Sequence, residues 1–394
     1  MTADSKTYRL VDKGRLGIVA LVIGVLGLAA SAMGWISEPE RFYRAFLTAF
    51  AFWTSVALGG LFFTMMHHLT GARWSVVVRR IFENLMLQLP WLFLAFIPVY
   101  FGIHDLYHWS HEEVVAADHV LQGKAAFLNV GFFTTRTIAY FAIWSLLAVL
   151  LYRVSRQQDE GHRPEHLKRM RKLSAIGMLL FAATITLAGW DWLMSLEPHW
   201  FSTVFGVYIF SGSFLNAVAV VTGVFLYLGR LEAFKKTFTL EHLHDLGKLM
   251  LAFTIFWSYI AFAQYFLIWY GNLPEETVWY TARWVGSWKV ISLVLFFGHF
   301  VLPFTVLLFR NVKRSRSLMW FFVVWFLLMH WVDYYWLVYP TFTEHGTSIG
   351  WLEIVPMLGL GGMFVWYFWR RLGSAPVVPA GDPELQNSMN FVNS

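Results

Sequence analysis

Three ionisable residues lie inside apolar stretches of this sequence. His330 and Asp333 are three positions apart, so on a helix they share one face. His299 lies in the preceding apolar stretch, at a similar predicted depth. An ionisable group costs about 2.5–3.5 kcal/mol near the centre of a bilayer, and histidine titrates near neutral pH, so the pattern predicts a proton relay. A hydrogen-bonded pair that joins two helices and bis-histidine ligation of a b-type haem are the alternatives.

Two arginines and two aspartates occupy matching positions in the two halves of the chain. Arg136 and Arg283 lie near the start of two apolar stretches, and Asp191 and Asp333 lie near the end of two others. Pairing reduces the cost of burying both charges, so we expect Arg136 to pair with Asp191 and Arg283 with Asp333. A role for the arginines in proton transfer or in binding a quinone headgroup is the alternative.

A second polar group is predicted nearer the cytoplasm. His67 and His68 close one apolar stretch, and Glu83, Asn84 and Gln88 fall within two turns of the next helix. Two interpretations are open. These side chains line an inner half-channel for protons, or they are interfacial residues that contact water.

Several other kinds of site are excluded or not indicated. The chain has no cysteine, which excludes thiolate-bound iron–sulfur clusters, disulfides and covalently attached c-type haem within it. If redox chemistry occurs nearby, redox centres of these kinds therefore belong to partner proteins. No metal site is predicted, since the histidine-rich segment 104–124 lacks a spacing specific for zinc. The sequence also has no nucleotide-binding glycine loop and no nucleophile–base arrangement.

The elements that must position these residues are membrane-spanning helices. Of the 394 residues, 58% are apolar and only 14% are charged, which is too little charge for the surface of a soluble protein of this size. A crossing needs about 20 apolar residues. Ten stretches qualify: 15–36, 43–68, 82–103, 126–152, 173–194, 204–229, 248–270, 284–309, 317–339 and 348–370. The first also resembles a signal peptide, and we interpret it as the first helix.

The distribution of lysine and arginine predicts the orientation of these helices. If the N-terminus is cytoplasmic, 24 of the 30 basic residues fall on the cytoplasmic side. Such a bias is typical of cytoplasmic loops, so we expect both termini on the cytoplasmic side. The net charge of +6 then reflects topology, and a nucleic-acid partner is not indicated.

The chain also contains an internal repeat. Three pairs of motifs recur four predicted helices apart: Trp91–Phe96 with Trp257–Phe262, Phe133–Ala139 with Tyr280–Gly286, and Asp191–Pro198 with Asp333–Pro340. An even spacing keeps the members of each pair parallel, so the sequence predicts an all-α membrane protein with two parallel four-helix bundles. We expect bundles at 42–202 and 203–343, peripheral helices within 1–41 and 344–372, and a flexible cytoplasmic tail at 373–394.

This pattern resembles the NrfD-like (polysulfide-reductase membrane subunit) family. Within that family it is most similar to the second ten-helix membrane subunit (ActF type) of alternative complex III, a quinol:electron-acceptor oxidoreductase. The resemblance covers nearly the whole chain. It rests on the paired motifs above and on the segment Gly189–Pro198.

The resemblance implies a location in a bacterial inner membrane, a function and a set of partners. The expected partners are a homologous NrfD-like membrane subunit, an iron–sulfur subunit, a multihaem cytochrome c subunit and, in some complexes, a terminal oxidase. Haem c and iron–sulfur clusters would lie in those partners, and a quinone such as menaquinone would be the membrane-soluble substrate. This chain would hold no redox centre and would conduct protons through His299, His330, Asp333 and Asp191, with His67, His68 and Glu83 as further candidates.

Two other functions stay open at this point. One is a quinone-reactive membrane anchor of a polysulfide- or nitrite-type reductase, within the same family. The other is a stand-alone secondary transporter. Many transporters have inverted repeats and helices broken near the midplane, whereas the repeat predicted here is parallel.

Overall fold

The computed structural model describes residues 8–10, 14–343 and 346–393. Lys6 and Lys13, which belong to the basic residues counted above, lie outside the described residues. So do Glu344 and His345, at the start of the last predicted peripheral segment. The described chain is helical, and its one β-type contact is a single bridge between Arg9 and Pro376.

Ten helical segments form the body of the protein. Nine are long and apolar enough to cross a membrane: α1 (Leu16–Ser37), α2 (Pro39–Thr70), α4 (Val130–Glu160), α5 (Pro164–Trp192), α6 (Phe205–Leu228), α7 (Leu240–Gly271), α8 (Trp288–Leu307), α9 (Arg316–Val338) and α10 (Trp351–Leu372). The remaining segment, α3, consists of two helical parts, Val76–Leu92 and Leu94–Phe101, and the helix axis bends by 48° between them. Pro98 lacks the N–H that would bond to Leu94, which accounts for the break. The helices indicate a multi-pass membrane protein.

Helices α2 and α6 form the centre of the molecule. They pack against each other closely enough that a Cβ at Gly59 would lie 2.4 Å from the carbonyl oxygen of Ser213. Helix α2 also contacts α3 and α5, while α6 contacts α7 and α9. These contacts are compatible with two four-helix bundles joined through their first helices. The internal repeat itself stays a prediction.

Helices α1 and α10 form a separate pair at the edge of the molecule. Their backbones approach through glycines, since a Cβ at Gly27 would lie 2.6 Å from the backbone nitrogen of Gly359. Arg41 at the start of α2 donates two hydrogen bonds of 2.8 Å to Glu353 on α10. That ion pair attaches the peripheral pair to the central helices.

The C-terminal segment differs from the expectation of a flexible tail. Residues 373–393 fold back over one end of the helices, and Val377 and Val378 are fully buried. The amide of Val377 donates to the carbonyl of Tyr8 at 2.8 Å. Segments without helical periodicity can still dock through single contacts, which is why composition gave the wrong expectation. We call the end of the molecule that carries this segment the terminal end, and the opposite end the far end.

Candidate functional site

Arg136 and Asp191 form a buried ion pair near the far end. Arg136 on α4 donates to the two carboxylate oxygens of Asp191 on α5, at 2.9 and 2.6 Å. The hydroxyl of Tyr140 adds a third hydrogen bond to that carboxylate, at 2.7 Å. The guanidinium also lies 3.8 Å from the ring centre of Phe127. The pair occurs as predicted, and Asp191 is saturated by donors, one of them a full positive charge.

The second predicted pair does not form. Arg283 donates instead to the backbone carbonyls of Trp279, Trp336 and Leu337, at 2.9, 3.2 and 3.0 Å. Its guanidinium stacks 3.5 Å from the ring centre of Trp279. A short helix, Pro274–Ala282, ends directly before Arg283. Arg283 therefore lies beside the C-terminal end of α9, where backbone carbonyls have no partner within the helix. The expectation of an Arg283–Asp333 ion pair was therefore wrong.

Asp333 is buried on α9 and is held by neutral groups. The hydroxyl of Tyr208 on α6 donates to one carboxylate oxygen, and the indole N–H of Trp257 on α7 donates to the other at 3.3 Å. Among the described residues, Asp333 forms no ion pair. Burial of a carboxylate without a cation is costly. At Asp191 the positive charge of Arg136 keeps the carboxylate ionised. No such charge fixes the protonation state of Asp333 within the described structure.

His330 lies one turn before Asp333 and connects α9 to α2. Its Nε2 is 2.8 Å from the hydroxyl oxygen of Ser55, so the two side chains share a hydrogen bond whose direction depends on the tautomer. Its Nδ1 is buried and has no hydrogen-bond partner among the described residues. The ring fits against Gly212 on α6, where a Cβ would lie 3.4 Å from Nδ1. The histidine thus keeps one ring nitrogen free inside the protein.

His299 lies at an irregular turn of α8. Residues Leu295–Val301 form a π-helical segment, a feature frequent at functional sites. His299 is fully buried, and neither of its ring nitrogens has a partner among the described residues. Its ring centre lies 4.0 Å from that of Trp257, the same side chain that donates to Asp333. Trp257 therefore contacts both His299 and Asp333.

We call this set of side chains the relay cluster. Its members are contributed by α2, α6, α7, α8 and α9: Ser55, Tyr208, Trp257, His299, His330 and Asp333. The sequence singled out the two histidines and the aspartate, and it missed the roles of the other three. Trp257 does occupy a repeated position in the sequence, which was the available signal for that residue. Nothing in the sequence marked Tyr208.

A groove between α7 and α8 leads to the relay cluster. Two overlapping cavities of about 420 and 710 Å³ share aromatic and polar walls. Tyr208 and Trp257 line the inner cavity, and Arg283 lines the outer one. Apolar walls with a few polar groups, here including Gln264 and Ser292, are typical of sites for small molecules. The sequence did not predict this groove.

His67, His68 and Glu83 lie apart from the relay cluster, at the terminal end. Glu83 pairs with Arg79 and Arg80, each at 3.0 Å, and all three side chains are fully buried. His67 bonds through Nδ1 to a serine hydroxyl at 2.8 Å. The charges of this network are paired, but Nε2 of His68 has no hydrogen-bond partner among the described residues. The two earlier interpretations, an inner half-channel and interfacial residues in contact with water, both stay predictions.

No protein-family model matches the chain, and no curated protein matches it in sequence. The resemblance to the NrfD-like family therefore rests on the motifs quoted above, and the function has to be argued from the geometry of the site.

Proposed function

We propose that this chain is a proton-conducting membrane subunit of a quinol-oxidising respiratory complex of the alternative complex III type. The relay cluster would carry the protons. The observation that supports this most directly is the contrast between two buried aspartates. Asp191 has an arginine partner at 2.6 Å, whereas Asp333 is held only by neutral donors.

The contrast matters because a proton carrier must gain and lose a proton. A carboxylate locked to a guanidinium stays charged, since protonation would leave a buried cation uncompensated. Protonation of Asp333 leaves no buried cation uncompensated, because no cation pairs with it among the described residues. Aspartate, glutamate and histidine side chains inside a membrane commonly mark proton pathways.

The neighbours of Asp333 have the chemistry of a relay. The hydroxyls of Tyr208 and Ser55 can each donate one hydrogen bond and accept another, so each can pass a proton along. His330 can hold a proton at either ring nitrogen. Trp257 donates only, and its role would be to orient the carboxylate.

The remainder of the proposal concerns the assembly. The terminal end would face the cytoplasm of a bacterium, as the positive-inside bias predicts. An iron–sulfur subunit and a multihaem cytochrome c subunit would supply the iron–sulfur clusters and c-type haem, which a chain without cysteine cannot bind through thiolates. A homologous membrane subunit would complete the assembly. Purifying the tagged chain from its host in mild detergent tests this directly. Co-purifying chains with c-type haem absorption support it, whereas a colourless single chain contradicts it and favours a transporter.

The proton role is tested with Asp333→Asn in the assembled complex. We expect normal subunit content and haem spectrum, with fewer protons released per electron when vesicles oxidise quinol. The matched control is Glu197→Gln, which changes a half-buried carboxylate outside the relay cluster. Unchanged proton release in fully assembled Asp333→Asn would contradict the proposal.

A second candidate function is direct binding of a quinone by this chain, and the groove supports it. The groove has aromatic walls, reaches Tyr208, and carries polar side chains able to bond to ring oxygens. Ala261→Trp should fill the inner cavity and raise the KM for quinol. Ala142→Trp, on the exposed face of α4, is the control. Equal KM values in the two variants would contradict quinone binding here without affecting the proton role.

A further inference from the structure

A pocket with basic walls opens at the terminal end, between the end of α2 and the start of α5. Its volume is about 230 Å³. Gly71, Arg73, Leu167 and Arg171 line it and are exposed, so the pocket is open to the outside of the molecule. Its buried walls come from α2, α3 and the C-terminal segment and include His67, His68, Arg79 and Asp382.

Arg171 is the cation of this pocket that has no anion beside it. Among the described residues it forms no ion pair, and its Nε donates to the backbone carbonyl of His68 at 3.4 Å. A Cβ at Gly71 would lie 3.6 Å from its Nη2, so the guanidinium lies against the end of α2. A guanidinium has five N–H donors, and most of those of Arg171 therefore remain available to a ligand.

The acidic side chains of the pocket leave this charge uncompensated. Asp382 accepts a hydrogen bond of 2.6 Å from Arg79, and both side chains are buried. Glu384 lies 3.5 Å from Arg73, whose side chain is 73% exposed, so that contact is weak. The charge that remains without a close partner is positive, and it belongs to Arg171.

The start of α5 adds further positive charge around the pocket. Residues 163–172 contain one acidic residue, Glu165, and five basic ones: Arg163, Lys168, Arg169, Arg171 and Lys172. Within the described part of the chain, none of the five forms an ion pair. Clusters of lysine and arginine at the cytoplasmic end of membrane helices attract anionic headgroups. The surroundings of the pocket therefore favour an anionic ligand.

Beyond the pocket, the same face of α5 becomes apolar. Leu167, Arg171, Ala175 and Leu179 follow one another at intervals of four residues, so they lie on one face, and all four are exposed. Leu179 is 77% exposed and lies about 12 Å further along the helix than Arg171. A phospholipid changes in the same order, from a charged phosphate to apolar acyl chains. A soluble anion would leave this apolar face unused.

We propose that the pocket binds the phosphate group of an anionic phospholipid, with Arg171 and Arg73 as its cationic ligands and the exposed face of α5 against the acyl chains. Arginine suits this role because its planar guanidinium can bond to two phosphate oxygens at once. Basic pockets between membrane helices on the cytoplasmic side are known to bind phospholipid headgroups. The inference goes beyond the proposed function and does not depend on it, since no proton transfer is involved.

Native mass spectrometry of the delipidated protein, titrated in detergent with phosphatidylglycerol or with phosphatidylcholine, measures this binding. We expect phosphatidylglycerol to bind more tightly. Arg171→Gln should weaken its binding by about fivefold, the effect of one basic group near a headgroup. The matched control is Arg169→Gln, which removes the same charge from an exposed position on the other side of α5, outside the pocket. It should leave the affinity nearly unchanged.

A second variant and a competing anion complete the test. Arg73→Gln acts from the other side of the pocket and should also weaken binding of phosphatidylglycerol, so the result does not rest on the folding of one variant. Inorganic phosphate, added as its ammonium salt at the concentration of the lipid, should not displace the lipid.

Three results would overturn the proposal. Equal losses of affinity in Arg171→Gln and Arg169→Gln would mean that the basic surface attracts anionic lipid without a specific site. Unchanged affinity in both Arg171→Gln and Arg73→Gln would mean that the lipid binds elsewhere. Displacement of phosphatidylglycerol by inorganic phosphate would mean that the pocket takes a soluble anion and that the acyl chains add nothing.

Discussion

Ser55 on α2 and His330 on α9 are joined by a hydrogen bond of 2.8 Å between Oγ and Nε2, although 275 residues separate them in the chain. The bond connects the first helix of one predicted bundle with the last helix of the other. It also satisfies one of the two ring nitrogens of His330, since Nδ1 has no partner in the described structure. The hydrogen bond thus joins α2 to α9 and connects Ser55 with the other members of the relay cluster.

Ser55→Ala should leave both ring nitrogens of His330 without a partner. The loss of a partner for a buried polar group costs about 1–3 kcal/mol, so we expect a lower thermal unfolding midpoint and reduced proton release per electron. Thr135→Ala is the control, because Thr135 is exposed and its hydroxyl bonds only to a carbonyl of its own helix. A variant with normal stability and normal coupling would show that this bond has neither role.

The two buried aspartates should respond differently to the same substitution. Asp191→Asn leaves the buried guanidinium of Arg136 without its anion, and breaking such a pair costs about 3–5 kcal/mol. We therefore expect poor assembly of Asp191→Asn, seen as a low yield of complex in detergent. Asp333→Asn removes no ion-pair partner and should assemble. Equal yields would mean that the 2.6 Å contact of Asp191 adds little to stability.

Features that depend on local composition could be predicted from the sequence. The ten apolar stretches correspond to nine helices and one bent pair, because the length of an apolar run is a local property. The bond between Arg136 and Asp191 was predictable as well, since two isolated opposite charges at similar depth have few other partners.

Features that depend on where the chain turns could not be predicted. Arg283 binds three carbonyls because a short helix, Pro274–Ala282, ends just before it and α9 ends beside it. At the C-terminal ends of these two helices, the sequence carries no pattern strong enough to exclude an ion pair between Arg283 and Asp333. The docking of residues 373–393 depends on single contacts such as Asp382 with Arg79, which are 303 residues apart. The groove arises from the spacing of α7 and α8, which no local pattern encodes.

Arg283→Lys should be destabilising although it keeps the charge. The guanidinium is planar, bonds to three carbonyls and stacks on Trp279, whereas an ammonium is a compact charge that cannot reproduce this geometry. We expect a lower unfolding midpoint, measured on the purified complex by light scattering or intrinsic fluorescence. The reverse exchange at an exposed site, Lys289→Arg, is the control and should be neutral. Equal midpoints would show that only the charge matters at position 283.

The docking of the C-terminal segment, residues 373–393, should weaken at low pH. Burial alone would raise the pKa of Asp382, but Arg79 and the backbone N–H of Glu384 outweigh it and hold this pKa below the ordinary value of 3.8. A carboxyl whose pKa is lower in the docked state stabilises docking above its ordinary pKa, and this contribution is lost as the pH falls through the docked value. We therefore expect the docking to be as strong at pH 5 as at pH 7 and to weaken below 3.8.

Hydrogen exchange at the amides of residues 374–393, corrected for the intrinsic effect of pH, measures this opening. Glu83 and Asp159 belong to the same network, so the contribution of Asp382 has to be separated from theirs. Asp382→Asn achieves this, since the variant should already exchange faster at pH 7 and should show a smaller further increase on acidification. If Asp382→Asn and the unchanged chain follow the same pH profile, the contact between Asp382 and Arg79 does not hold the segment in place.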